Sequence, residues 1–177
     1  MAAYVSRIMT WIYRLEPNVL VTYAIYSTLV FRAFCRTYTA RRWLRPGLAV
    51  VLGSWFAWVL WSTLLSRSPG IYESHWVPLG TYWRILQGDT TELLRSALMN
   101  VALFFPAGLL TAALLPRGSI RRLVLGFALF SLTIELSQDL FRLGFAEFDD
   151  VLHNTLGAMF GYIAFHRDLD LPPAADP

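Results

Sequence analysis

The sequence contains no lysine, a single cysteine and few charged residues of either sign. The single Cys35 excludes an internal disulfide and any zinc site built from several cysteines, and we interpret it as a small apolar filler. Charged residues make up 15% of the 177-residue chain, whereas a soluble domain carries roughly 25% to cover its surface. A soluble globular protein is therefore disfavoured.

All fifteen basic residues are arginines, and most lie in short clusters between apolar runs. Such clusters are typical of the cytoplasmic loops of membrane proteins, where they set the topology. The net charge of +3 is therefore no indication of nucleic-acid binding, and we expect no nucleic-acid partner.

Hydrophobic residues make up 56% of the chain, and they are concentrated in five runs. A helix needs roughly 20 mainly apolar residues to cross a hydrocarbon core about 30 Å thick, and about 17 can suffice. Pro17, Pro46 and Pro116 lie at the ends of these runs, as expected of helix breakers. We predict an all-α membrane protein with a bundle of about five transmembrane helices within residues 17–167. The predicted spans are residues 18–34, 48–65, 96–115, 123–141 and 151–165.

Both ends of the chain are predicted to lie outside the bundle. Apolar residues within 3–15 recur at helical spacing, so we predict an amphipathic helix within residues 1–16 that lies in the membrane interface. A helix buried as in a soluble protein is the alternative. Residues 1–16 lack the pattern of a cleavable signal peptide, and we expect none. Residues 168–177 contain three prolines and are predicted to be disordered.

The arginine distribution predicts the orientation in the membrane. Four arginines lie within residues 36–45 and three within residues 117–122. Both connections should be cytoplasmic, because arginine-rich short loops are retained on that side. The connections 66–95 and 142–150 then face outward, the N-terminus lies outside and the C-terminus lies in the cytoplasm.

Polar side chains gather at one depth near the outer ends of three predicted spans. Glu135 lies about 9 Å below the outer end of its helix, at a rise of about 1.5 Å per residue. Asn100 and Asn154 lie at similar depths in two other spans, where interhelical hydrogen bonds would be their usual role. Glu135, Gln138 and Arg142 share one helix stripe, which makes Arg142 a candidate charge partner. Because ionisable residues within spans are usually functional, we interpret Glu135 and Gln138 as functional; interhelical hydrogen bonding alone is the alternative.

Asp149 and Asp150 come directly before the last predicted span. One of them is expected to cap that helix, since a carboxylate accepts hydrogen bonds from free N–H groups at a helix N-terminus. A role in the polar cluster is the alternative. His153 stands four residues after Asp149, but no second histidine has a matching spacing, so we expect no metal site. Motifs for acyl or phosphate chemistry are absent from the sequence, and we expect no cofactor.

Small residues in the same spans predict close helix packing. Gly157 and Gly161 form a small-xxx-small pair that lets another backbone approach. We expect the partner of this pair to be the helix that carries Glu135. Pro106 is expected to kink the third span beside Gly108 and to leave room on the same side.

Three segments carry a family resemblance: "NVALFFPAGLL" from Asn100, "SLTIELSQ" from Ser131 and "FDDVLHNTLGAMFGY" from Phe148. They resemble the VanZ-like integral membrane proteins. In that family an Asn opens an apolar helix with Pro and Gly, an Ile-Glu-x-x-Gln span follows, and Asp-x-Asp-Asp leads into Asn-Thr-Leu-Gly. "VPLGTYWRIL" from Val77 echoes the family's outer loop more weakly, and we place the VanZ-like core within residues 76–165.

The resemblance singles out a set of positions and two departures from the family pattern. Glu147 stands where the family has Asp, and Gly144 stands where it usually has Arg. Arg142 is the candidate replacement for that arginine. The positions that match are Asn100, Pro106, Gly108, Glu135, Gln138, Asp149, Asp150, Asn154 and Gly157.

The resemblance also implies a setting and a role. It implies a multi-pass protein of the bacterial plasma membrane and the cell envelope, linked to susceptibility to teicoplanin-class glycopeptides. We expect a non-enzymatic protein whose outer polar cluster binds a lipid-linked envelope component or a membrane-protein partner. One alternative is an enzyme on a lipid-linked precursor, with Glu135 and Asp149 or Asp150 as acid and base. A proton-coupled transporter is the other alternative, although no polar residues continue a path through the cytoplasmic halves of the spans.

Overall fold

The computed structural model describes residues 45–70, 72–88, 90–116 and 118–169, with side chains omitted at 90–92 and 167–169. The predicted interfacial helix within 1–16, the first predicted span at 18–34 and most of the predicted tail lie outside these residues. The four remaining predicted spans, the outer loops and the polar cluster lie within them.

Helices dominate the described part of the chain, as predicted. Three helical segments are long and apolar enough to cross a membrane, namely Arg45–Leu65, Leu93–Leu114 and Ile120–Phe141. They correspond closely to the spans predicted at 48–65, 96–115 and 123–141. The elements in chain order are α1 (Arg45–Leu60, continued by a π turn at Trp61–Leu65), β1 (Glu73–His75), α2 (Gly80–Leu86), α3 (Thr90–Leu114), α4 (Ile120–Phe141), β2 (Phe145–Glu147) and α5 (Phe148–Leu169).

The helix α5 contains the last predicted span but is not among the three apolar segments. It is longer than the predicted 151–165 and carries polar residues in its first two turns. It packs against both α3 and α4, so that these polar side chains are covered by protein rather than by lipid. Polar residues inside a membrane bundle normally face the interior for this reason.

The core lies between α3, α4 and α5 and is closed on one side by α1. Phe104, Phe127, Ile134 and Phe165 are its large buried members. The α1 helix is attached through aromatic contacts and through a hydrogen bond from Trp55 Nε1 to the Leu103 carbonyl oxygen, at 3.1 Å. Most of its outer face is exposed, as expected of a helix that meets lipid.

Two short strands that the sequence did not predict join the outer loops. β1 and β2 pair in parallel, with Ser74 opposite Ala146, and Ala146 is fully buried. Each strand has three residues, which is too short for the period-2 pattern that reveals strands in a sequence. The pairing ties the loop after α1 to the loop after α4.

The closest helix contact joins α3 to α5 and depends on three glycines. A Cβ atom added to Gly157 would lie less than 3.0 Å from the carbonyl oxygen of Val101, and one added to Gly161 would lie equally close to that of Phe105. Gly108 of α3 meets the backbone of Ala158 in the same way. The predicted partner of the Gly157 and Gly161 pair, the helix that carries Glu135, was therefore wrong. The α5 helix turns its glycines to α3 and its polar side chains toward the outer cluster.

We expect Gly161→Ala to lower the free energy of unfolding by about 1–3 kcal/mol or more, because backbone atoms of α3 must move away. Gly126→Ala is the matched control, since no atom lies within 4 Å of its added Cβ, and it should stabilise α4 by up to about 1 kcal/mol. Unfolding of both variants in detergent micelles measures the difference. A Gly161→Ala variant as stable as the wild type would show that α3 and α5 separate without loss.

Candidate functional site

Glu135 lies at the centre of a polar cluster that is covered by the loops after α1 and α4. Its side chain is 3% exposed, and its Oε2 accepts a hydrogen bond of 3.0 Å from the backbone N–H of Glu147. Asp150 and Arg67 lie close enough to interact electrostatically with the Glu135 carboxyl. The α4 helix thus brings its one buried acidic side chain to the point where β2 passes into α5.

The amides of Asn100 and Asn154 lie near residues of the same cluster, Asn154 beside Ser131 and Asn100 beside Asp150. Asn154 Nδ2 donates a hydrogen bond of 2.8 Å to Ser131 Oγ, which joins α5 to α4. Asn100 lies beside the Asp150 carboxyl. Within the described part of the chain, the buried atoms Asn100 Nδ2 and Asn154 Oδ1 have no hydrogen-bond partner. Since buried polar atoms are normally paired, these two are available to a bound molecule.

Gln138 lies one turn further along α4, and its Nε2 donates a hydrogen bond of 3.1 Å to the Thr63 carbonyl oxygen. Thr63 belongs to the π turn that ends α1. This contact fastens α1 to α4 and supports the interhelical alternative for Gln138.

The Asp149 carboxylate caps the short helix α2 rather than its own helix. It accepts two backbone hydrogen bonds, at 2.6 Å from the Leu79 N–H and at 2.7 Å from the Thr81 N–H. Leu79 adopts a left-handed conformation with φ 61°, which costs energy for a residue with a Cβ and persists where its surroundings enforce it. Of Asp149 and Asp150, one of which was expected to cap α5, Asp149 instead caps a helix whose N-cap residue, Leu79, is 70 residues away in sequence.

Further side chains of α2 hold it against the start of α5, so that α2 (Gly80–Leu86) forms a lid over the cluster; the sequence alone did not single these side chains out. Arg84 forms an ion pair of 2.7 Å with Glu147, and the Thr81 hydroxyl also donates to Glu147. The Tyr82 hydroxyl lies 2.8 Å from His153 Nε2. The spacing of Thr81, Tyr82 and Arg84 on one helix was the only available signal, and it does not reveal partners so distant in sequence.

His153 takes part in the cluster without forming a metal site. Its Nδ1 lies 3.8 Å from Asp150 Oδ1, too far for a hydrogen bond, and has no other partner among the described residues. In the described ranges, no group of three or more His, Cys, Asp and Glu side chains is arranged to hold a metal ion.

The ionisation of Asp150 reflects its surroundings at the start of α5. Burial raises the pKa of the Asp150 carboxyl, the nearby His153 opposes this rise, and the Glu147 carboxylate adds to it. A raised pKa favours the protonated form, which can donate a hydrogen bond as well as accept one.

The arginine that interacts electrostatically with Glu135 is Arg67 rather than the expected Arg142. Arg142 ends α4 in a left-handed conformation and lies over the Tyr72 ring, with its Cζ 5.9 Å from the ring centroid. Arg67 instead donates to the Leu143 carbonyl oxygen at 3.1 Å, and its guanidinium occupies the space beside Gly144. The arginine that lies beside position 144 is therefore Arg67, from the loop after α1.

A family model described as VanZ/LLP1 matches residues 48–167. The chain belongs to this family. The match runs from α1 to α5 and so includes every element of the VanZ/LLP1 core described above. No curated protein and no solved structure matches the chain.

We expect Asp149→Ala to release α2 from the end of α5, because two hydrogen bonds to a charged acceptor are lost, each contributing about 1.5–3 kcal/mol. Hydrogen exchange of the Leu79 and Thr81 amides should accelerate strongly, with little change in the middle of α3. Glu73→Gln is the control, since Glu73 is exposed and its carboxylate contacts His75 rather than α2. Unchanged exchange at both amides would contradict the capping role.

Proposed function

We propose that this VanZ/LLP1 protein is a multi-pass protein of the cell envelope that binds a polar envelope component at its outer cluster. Through that binding it would modulate susceptibility to teicoplanin-class glycopeptides. The observation that carries the proposal is the meeting of Glu135, Asp150, Asn100 and Asn154 in one buried place, where two amide atoms have no partner within the described residues.

The chemistry of the cluster supports a hydroxyl-rich or amide-rich ligand. Carboxyl oxygens accept hydrogen bonds, Asn100 Nδ2 donates one, and Asn154 Oδ1 accepts one. Sugar and peptide groups of cell-wall precursors offer both donors and acceptors. The lid formed by α2 lies directly over this place through its contacts with Glu147, Asp149 and His153.

An enzyme acting on a lipid-linked precursor is the second candidate, and one observation favours it. Glu135 and Asp150 are close enough to influence each other, and two neighbouring carboxyls with different surroundings can divide the roles of acid and base. His153 Nδ1 stands beside the same pair. Turnover of a lipid-linked substrate by purified protein, lost in Glu135→Gln, would favour catalysis over binding.

We expect wild-type protein expressed in a sensitive Gram-positive host to reduce susceptibility to teicoplanin, and Glu135→Gln to return it to the level of empty vector. The Gln side chain keeps an acceptor for the Glu147 N–H but removes the titratable carboxyl. Ser137→Ala is the control on the same helix, because the Ser137 hydroxyl donates to the Thr133 carbonyl oxygen one turn away and has no other hydrogen bond to the described residues. Equal protection by wild type and Glu135→Gln at matched membrane abundance would reject the cluster as the site. No protection by wild type would reject the resistance role.

The proposed orientation places β2 outside and the loop after α3 in the cytoplasm. In a chain with Cys35→Ser, a single cysteine at Phe145→Cys should react with a membrane-impermeant maleimide in intact cells. One at Leu115→Cys should react only after permeabilisation. Both positions are exposed, at 50% and 60% respectively. The reverse pattern would invert the topology.

A further inference from the structure

A cavity of about 1150 Å³ lies at the end of the bundle opposite the polar cluster. It is a partly open space between α1 and α4, with the end of α3 and the loop that follows it as further walls. Two exposed side chains of its wall, Arg45 and Arg122, place its opening at the arginine-rich end. This is the end for which the sequence predicts a cytoplasmic position.

The interior of the cavity is lined by apolar side chains, against which hydrocarbon can pack. Leu52, Phe56, Leu123 and Phe127 line it, and the ring of Phe56 meets that of Phe127 with centroids 5.8 Å apart. From Arg45 to Phe56 the α1 helix rises about 16 Å. The cavity is therefore an elongated space with charge at one end and aromatic rings at the other.

Polar groups in the wall already have partners and require none from a ligand. The Thr111 hydroxyl donates to the Ala107 carbonyl oxygen at 2.8 Å, and the Tyr162 hydroxyl donates to the Gly118 carbonyl oxygen. Hydrocarbon can therefore lie against these residues without leaving a buried donor unpaired.

The charges at the opening have no carboxylate partner among the side chains that the structure describes. Neither Arg45 nor Arg122 forms an ion pair with any carboxylate among the residues that the structure describes. A guanidinium group binds a phosphate through two parallel hydrogen bonds. Basic pockets between helices at the cytoplasmic face are typical binding places for anionic lipid head groups.

We propose that this cavity binds an anionic phospholipid of the surrounding bilayer, with one acyl chain between α1 and α4 and the phosphate at Arg45 and Arg122. Two other occupants are conceivable, namely the predicted span at 18–34 and a second copy of the chain. Residues 18–44 contain no acidic side chain and four arginines, so that this part of the chain would add positive charge to the opening. Charge complementarity therefore favours the lipid.

Binding of phosphatidylglycerol and phosphatidylcholine to the purified full-length protein, measured by native mass spectrometry, tests this site. Wild type should bind phosphatidylglycerol at least tenfold more tightly. Arg122→Gln should remove most of this preference. Arg121→Gln removes the same charge one residue away, at a position that does not line the cavity, and should leave the preference in place.

A second pair of variants tests the cavity itself. Gly126 lines it, Gly53 does not, and no atom lies within 4 Å of a Cβ added to either. Gly126→Leu should fill the space reserved for the acyl chain and weaken phosphatidylglycerol binding at least fivefold, whereas Gly53→Leu should bind as wild type does.

Three results would overturn the proposal. Equal binding of the two lipids by wild type would remove the phosphate site. Loss of preference in Arg122→Gln without any effect of Gly126→Leu would mean that only the head group binds, at the surface. Binding of neither lipid would mean that residues 18–34 or a second copy fill the cavity.

Discussion

The structure depends on the direct contact between the backbones of α3 and α5. Inside a bilayer, helices gain nothing from hydrophobic association with one another, so close packing and interhelical hydrogen bonds must hold them together. Gly108, Gly157 and Gly161 provide that packing, since each leaves no room for a Cβ atom. With α5 packed against α3 in this way, its first turns place Asp150, His153 and Asn154 on the same side as Asn100 of α3 and Ser131 of α4. The polar cluster is a consequence of the glycine contact.

The cost of placing an acidic side chain in a membrane explains why the polar cluster is covered both by contacts of its own and by the lid. An acidic side chain at mid-helix costs about 2.5–3.5 kcal/mol to place in a membrane, and less near the interface. Glu135 reduces this cost by accepting the Glu147 N–H and by facing Arg67 across the loop. The lid is held by charged contacts of its own, from Arg84 to Glu147 and from the α2 backbone to Asp149. Carboxylates therefore serve both as candidate ligand-binding groups and as the attachment points of the structure above them.

Apolar run lengths predicted the three long apolar segments, because the thickness of hydrocarbon fixes how many residues a helix needs. Depth counting also indicated which polar side chains would meet, since a fixed rise per residue converts sequence position into height. Contacts between side chains that long loops separate in sequence could not be predicted from run length or from depth. The sequence around Gly144 did not indicate that Arg67 would lie beside it. The sequence around Asp149 did not indicate that it would cap α2. The helix facing of Gly157 and Gly161 was misjudged because two neighbouring helices offered equally plausible partners.

The parallel pairing of β1 with β2 has a consequence for how the protein comes into being. Ser74 and Ala146 lie on either side of α2, α3 and α4 in sequence, so their hydrogen bonds cannot form until both long helices have been threaded through the membrane. The strand pair can thus form only after α2, α3 and α4 have been synthesised. The strand pair therefore links the loop after α1 to the loop after α4 only in a chain whose intervening helices are already in place.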